Sequence, residues 1–176
     1  MSKRFLSLLT LFALSAFSAI AATPRDDNDV QQWLNQHAAR ANSGEVPAHR
    51  YRVVGDLDGD GREDVAVLYT LKPRAARRGE SRYLAVFKRQ PDHPRGPRQG
   101  GSLHYHAHAL VSGPGAGEAN RAAILERSVV VEMLTFKPGD AACCPTRATT
   151  RRYRLTPRGL TLVNTLVKPE PAKKAR

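Results

Sequence analysis

The chain predicts an α+β fold, an N-terminal helix packed on an antiparallel β-meander of about seven or eight strands. Three observations carry that expectation. A single amphipathic helical stripe stands near the start. The later apolar stretches are short, and they either alternate or carry β-branched and aromatic residues, as strands do. The links between those stretches are hairpin-length or rich in Gly and Pro, so consecutive strands turn back on one another as neighbours.

Residues 1–22 come first and read as a secretory signal peptide. Lys3 and Arg4 form a basic start, Phe5 to Ile20 is an apolar run, and Ala19-Ile20-Ala21 is a small-x-small cleavage site. The run is short for a membrane span of about 20 residues, and its alanine-rich end favours cleavage. Removal would leave about 154 residues, enough for one domain with its own core and no transmembrane anchor. The protein is therefore expected in the periplasm or outside the cell, as a monomer.

The helix runs from Asp26 to Ala41. Val30, Trp33, Leu34, His37, Ala38 and Ala41 recur at helical spacing as one apolar stripe. Asp26, Asp27 and Asp29 crowd its start, where free N–H groups and the helix dipole favour acid. Trp33, the only tryptophan, reads as a core anchor and His37 as an edge-of-core histidine. Asn42-Ser43-Gly44 ends the helix. Strands follow at Arg50–Val54, Val65–Leu71, Ser81–Lys88 and Leu103–Val111. Two hairpins close the order: Arg121–Leu125 with Ser128–Phe136, and Thr149–Leu155 with Leu160–Leu166. A domain spanning residues 23–167 results, with no internal repeat. Residues 168–176 form a basic, Pro-containing tail without the apolar content to fold.

Basic residues outnumber acidic ones, 28 to 16, for a formal net charge of +12. Such a surface suits polyanions. The basic residues are nevertheless spread over several loops and strands, and no RNP, helix-turn-helix or finger pattern organises them. Nucleic-acid recognition is not expected.

Against this basic background, Asp56–Asp64 reads DLDGDGRED. Calcium takes six to eight hard oxygens in flexible geometry. Asp56, Asp58 and Asp60 offer side-chain oxygens at loop positions 1, 3 and 5, Arg62 a backbone carbonyl at position 7, and Asp64 a carboxylate at position 9. Gly59 and Gly61 permit the backbone conformations of a tight wrap. An EF-hand also needs an acid at position 12. That position is Val67, inside an apolar strand, which excludes one. The competing account is an Asp/Gly turn whose charge is offset by Arg50, Arg52 and Arg62.

The stretch GDLDGDGREDVAVLY resembles the calcium loop of FG-GAP/VCBS-type repeats, strand–loop–strand units with the pattern DxDGDGxxD. Propellers built on that unit repeat it several times. The chain carries one copy, so the resemblance implies the loop and its flanking strands rather than a propeller. The chain is also similar to small exported bacterial proteins that pair one such loop with a later Asp-x-x-Cys-Cys-Pro-Ser/Thr stretch, here Asp140 to Thr146. The resemblance implies a structural Ca²⁺ and no particular activity.

Two further features bear chemistry. Cys143 and Cys144 are the only cysteines and are adjacent. A vicinal disulfide, two packed or metal-binding thiols, and a redox pair are the three readings open. Adjacent Cα atoms stand closer than the usual disulfide range, so the first needs a tight turn. His104, His106 and His108 alternate on one strand, which places all three on one face. Two of them could share a Cu²⁺ or Zn²⁺ ion. No G-x-S-x-G, H-E-x-x-H or P-loop occurs. The sequence thus points to a non-enzymatic exported protein with a Ca²⁺ loop, binding a protein or envelope glycan. A periplasmic Cu/Zn-binding protein, or a hydrolase with its site assembled in space, are the alternatives.

Overall fold

The structure, a computed structural model, describes residues 24–75, 79–91 and 101–168. The expected signal peptide and the tail from residue 169 lie outside them. Among the described residues no helix is long and apolar enough to cross a membrane.

The described residues open with α1 (Pro24–Arg40), which starts two residues earlier than the stripe suggests. Asn42, at φ 45, turns the chain out of the helix. Nine strands follow: β1 (Ser43–Glu45), β2 (Tyr51–Gly55), β3 (Asp64–Pro73), β4 (Ser81–Gln90), β5 (Ser102–Ser112), β6 (Glu118–Leu125), β7 (Ser128–Thr135), β8 (Arg147–Thr156) and β9 (Gly159–Val167). The strand beyond the expected seven or eight is β1, which occupies residues the pattern assigns to the helix end. Three residues carry no alternation to read. They are a strand because they pair with Leu71–Pro73 of β3.

All pairings are antiparallel, but the single meander is corrected to two sheets. β1 and β2 both pair with β3, followed by β4 and β5; β6 to β9 form the second sheet in sequence order. The reason lies in Val65–Leu71, whose side chains are buried throughout. Val65, Val67, Tyr69 and Leu71 join Val30, Leu34 and Ala38 of α1 in one apolar layer. Ala66 and Leu68 face the other way, with Leu84 and Val86, onto Ala122, Val129, Val131 and Met133 of the second sheet. A strand apolar on both faces needs cover on both. One helix covers one face, so the later strands must fold over the other. The layers are helix, first sheet, second sheet.

The crossing between sheets is made at Ser112–Glu118. Gly117 there has φ 111, and a Cβ on it would stand 2.2 Å from the Leu134 carbonyl oxygen, so only glycine fits. The β6–β7 hairpin turns at Glu126 and Arg127, both at positive φ, in the sense that right-twisted hairpins favour.

Candidate metal centre

β2 and β3 pair out to Gly55 and Asp64, so the acidic stretch is the turn of a hairpin, as its flanking strands predict. The turn organises itself through its aspartates. Asp56 accepts from the Gly59 and Gly61 N–H groups (2.6 and 3.0 Å), Asp58 from Asp60 N–H (3.2 Å) and Asp60 from Arg62 N–H (2.8 Å). Asp64 is fully buried. Its Oδ2 accepts from Leu57 N–H and its Oδ1 from Arg89 N–H on β4, both at 3.0 Å. The Arg89 guanidinium continues outward to the Glu63 carbonyl (3.0 Å) and to Asp26 at the start of α1 (2.8 Å). One aspartate therefore ties the loop to the first sheet, and its hydrogen-bond partner Arg89 ties it to the helix. The second sheet also reaches the loop. The Arg127 guanidinium packs over Gly59, where an added Cβ would lie 2.4 Å from its Cζ.

Asp56, Asp58 and Asp64 each bring one carboxylate oxygen to within 4.8 Å of the others. Oxygens at about 2.3–2.6 Å from a common centre can be no more than about 5 Å apart. The spacing and the hard all-oxygen donor set both fit one calcium ion, which Asp56, Asp58 and Asp64 would hold. Asp60 is not part of the cluster: its Oδ2 pairs with the Arg62 guanidinium at 3.0 Å. Of the four expected carboxylates, three therefore gather.

Of the three arginines expected to offset the loop's charge, Arg62 pairs with Asp60 within the turn, and the other two are engaged elsewhere. Arg50 pairs with Glu45, and Arg52 lies 3.7–3.8 Å from Asp26 and Asp27. Neither neutralises the loop. Lys88 reaches it from β4: its Nζ stands 2.5 Å from Asp58 Oδ2. That bond holds the Asp58 carboxyl below its ordinary pKa and the Lys88 ammonium above its own. Burial pushes Asp64 the other way, upward, against the pull of its two backbone N–H donors. A cation entering the cluster would compete with Lys88 for the Asp58 carboxylate. Sequence reading missed Lys88, Arg89 and Arg127 because they lie on β4 and in the β6–β7 turn, brought to the loop by register alone.

The histidine strand is rearranged. A bulge in the β4–β5 pairing between Val86 and Phe87 falls opposite His106 and breaks the alternation. His104 pairs in register with Lys88, and its Nε2 lies 2.9 Å from Ser102 Oγ. His108 instead shares a face with Tyr105, whose hydroxyl is 2.7 Å from its Nδ1. The three do not gather. His108 meets His37 of α1, ring centroids 4.5 Å apart, beside Trp33 and Tyr83. His37 Nδ1 is 2.8 Å from the hydroxyl of buried Tyr69. Burial holds both histidines below the ordinary value, His37 further so through His108 and Arg40. Among the described residues, the cluster of three or more His, Cys, Asp or Glu able to share an ion is the aspartate one.

In the cysteine loop the Sγ atoms of Cys143 and Cys144 form a close pair on an exposed turn. The motif's outer residues have a local task. Asp140 Oδ2 accepts from the N–H groups of Lys137 and Thr146, both at 2.9 Å, and its Oδ1 from the Thr146 hydroxyl at 2.7 Å. Asp140 and Thr146 so close the turn that presents the cysteines.

No protein-family model, curated protein or solved structure matches the chain. The functional reading therefore stands on the geometry of the loop and on the sequence resemblance.

Proposed function

We propose that this protein is an exported, non-enzymatic domain in which a calcium ion clips the β2–β3 turn, and which acts as a binding or envelope-associated scaffold for a protein or glycan. The observation that carries the metal reading is the convergence of Asp56, Asp58 and Asp64 oxygens within 4.8 Å. Three carboxylates that close repel one another unless a cation sits among them, and Lys88 touches only one. The position favours a structural role. The turn is tied to the helix through Arg89 and to the second sheet through Arg127, so an ion there fastens three layers and couples metal binding to folding. Calcium also activates water poorly. Export rests on the N-terminal pattern and the adjacent cysteines.

Thermal unfolding with and without metal tests this reading. Free Ca²⁺ at about one hundred times its Kd should stabilise the fold by about 2.7 kcal/mol over an EDTA-treated sample. For a chain of this size that is a rise in Tm of about 5–11 °C. Superimposable melts in EDTA and in millimolar Ca²⁺ remove the reading.

A further inference from the structure

At the far end of β3 from the aspartate turn, the apolar layer between the sheets gives way to polar residues. Thr70, Arg82 and Ser112 lie in one cross-strand row, Thr70 paired with Arg82 and Arg82 with Ser112. Thr70 is two residues past Leu68 and so faces the second sheet. Directly paired residues share a face, so all three look into the gap between the sheets. A cavity of about 490 Å³ opens there, within the range of small-molecule sites. Its floor is Thr70 and Ser112, both nearly inaccessible (1% and 3% exposed), with half-buried Arg82. Its rim includes exposed Glu80, Glu118 and Asn120.

Two features of this cavity have no account within the fold. The Thr70 hydroxyl oxygen is buried with no hydrogen-bond partner. Among the described residues the Arg82 guanidinium, with five N–H donors, makes one hydrogen bond, to the His49 carbonyl. Among the described residues it forms no ion pair, although Glu80 and Glu118 line the same cavity and act on it electrostatically. Glu118 forms no ion pair either. A half-buried cation and an acid facing one space without closing on each other leave room for a molecule carrying the complementary charges. Burying a cation unpaired is costly, and a planar guanidinium suits a carboxylate in bidentate contact. The acids at the mouth disfavour a phosphate dianion.

We infer that this cavity binds a small amino-carboxylate, a free amino acid or dipeptide, with its carboxylate on Arg82 and its ammonium group toward Glu118. The site lies about 20 Å along β3 from the aspartate turn, counting six residues at about 3.3 Å each. It does not depend on calcium, and the two readings fail separately.

The test is a ¹⁵N NMR titration of the purified chain in EDTA with glycine, alanine and Gly-Gly. Acetate, ethylammonium and phosphate serve as probes that carry one charge type each. The expected result is saturable shifts at Thr70, Arg82 and Ser112 amides with at least one amino-carboxylate. Arg82→Gln should weaken that binding about tenfold or more, the loss of a charge-assisted bidentate contact. Glu118→Gln, on the exposed rim, should weaken it about threefold while leaving any acetate shifts unchanged. Should Arg82→Gln not fold, judged by its amide dispersion, Glu118→Gln decides. Three outcomes overturn the inference: no saturable shift with any amino-carboxylate, acetate or phosphate binding as tightly as the amino-carboxylates, or folded variants that bind as the wild type does.

Discussion

Asp64→Asn separates the loop's own architecture from its metal. The side chain is fully buried, and each carboxylate oxygen accepts one backbone N–H, from Leu57 and Arg89, at 3.0 Å. An amide of the same shape can accept only one of these and must turn its NH₂ toward the other. A buried donor left without an acceptor costs about 1–3 kcal/mol. Part of that is offset, because burial already disfavours the Asp64 charge and the amide carries none. We therefore expect a loss of about 1–2 kcal/mol in EDTA, a drop in Tm of about 2–8 °C. Asp60→Asn is the control. Its exposed partner Arg62 predicts a change within about 0.5 kcal/mol. The pH dependence adds a signed check. A carboxyl whose pKa is raised on folding stabilises below its unfolded value, and that contribution is lost as pH rises through the folded value. In EDTA the wild type should lose this stability on rising above the ordinary carboxylate range, and Asp64→Asn should not. Calcium should stabilise the wild type and do little for Asp64→Asn. Equal melting of Asp64→Asn and wild type in EDTA would refute the strut role, as would an equal loss in Asp60→Asn.

Lys88→Met removes the ammonium from Asp58 and should lower stability in EDTA while tightening Ca²⁺ binding about fivefold, the worth of a part-exposed pair of about 1 kcal/mol; calorimetry showing weaker Ca²⁺ binding contradicts the competition. The His37–His108 contact predicts acid sensitivity. Both pKa values are lowered on folding, so the unfolded chain binds more protons and stability falls as pH drops below about 6.5. Around His37 the facing groups are Arg40 and Trp33 on α1, Tyr69 on β3, Tyr83 on β4 and His108 on β5. Urea midpoints at pH 5.0 and 7.5 should converge in the His37→Gln, His108→Gln double variant. A difference as large as that of the wild type assigns the effect to other groups.

The helix and eight of the nine strands were legible because each announces itself locally. Val30, Leu34 and Ala38 repeat at the helical period, and stretches such as SRYLAVFK, short and carrying Tyr83, Val86 and Phe87, suit strands. Burial of Val65–Leu71 on both faces is written in a run that is apolar apart from Thr70, but not what covers the second face. β1 was illegible because three residues have no period. The histidine face failed for a related reason. Alternation holds only in a regular ladder, and the bulge opposite His106 depends on pairing with β4.

By itself, then, the sequence determined the local conformations and the placing of acid at the β2–β3 turn, since periodicity, glycine positions and side-chain charge act over a few residues. Only the tertiary structure decided that the strands divide into two sheets and that Asp60 stays outside the cluster. It also decided that Lys88, Arg89 and Arg127 serve the loop, that His108 meets His37, and that Arg82 and Glu118 share a cavity. Those outcomes depend on register and layer packing, in which residues such as Asp26 and Arg89, 63 positions apart, become neighbours.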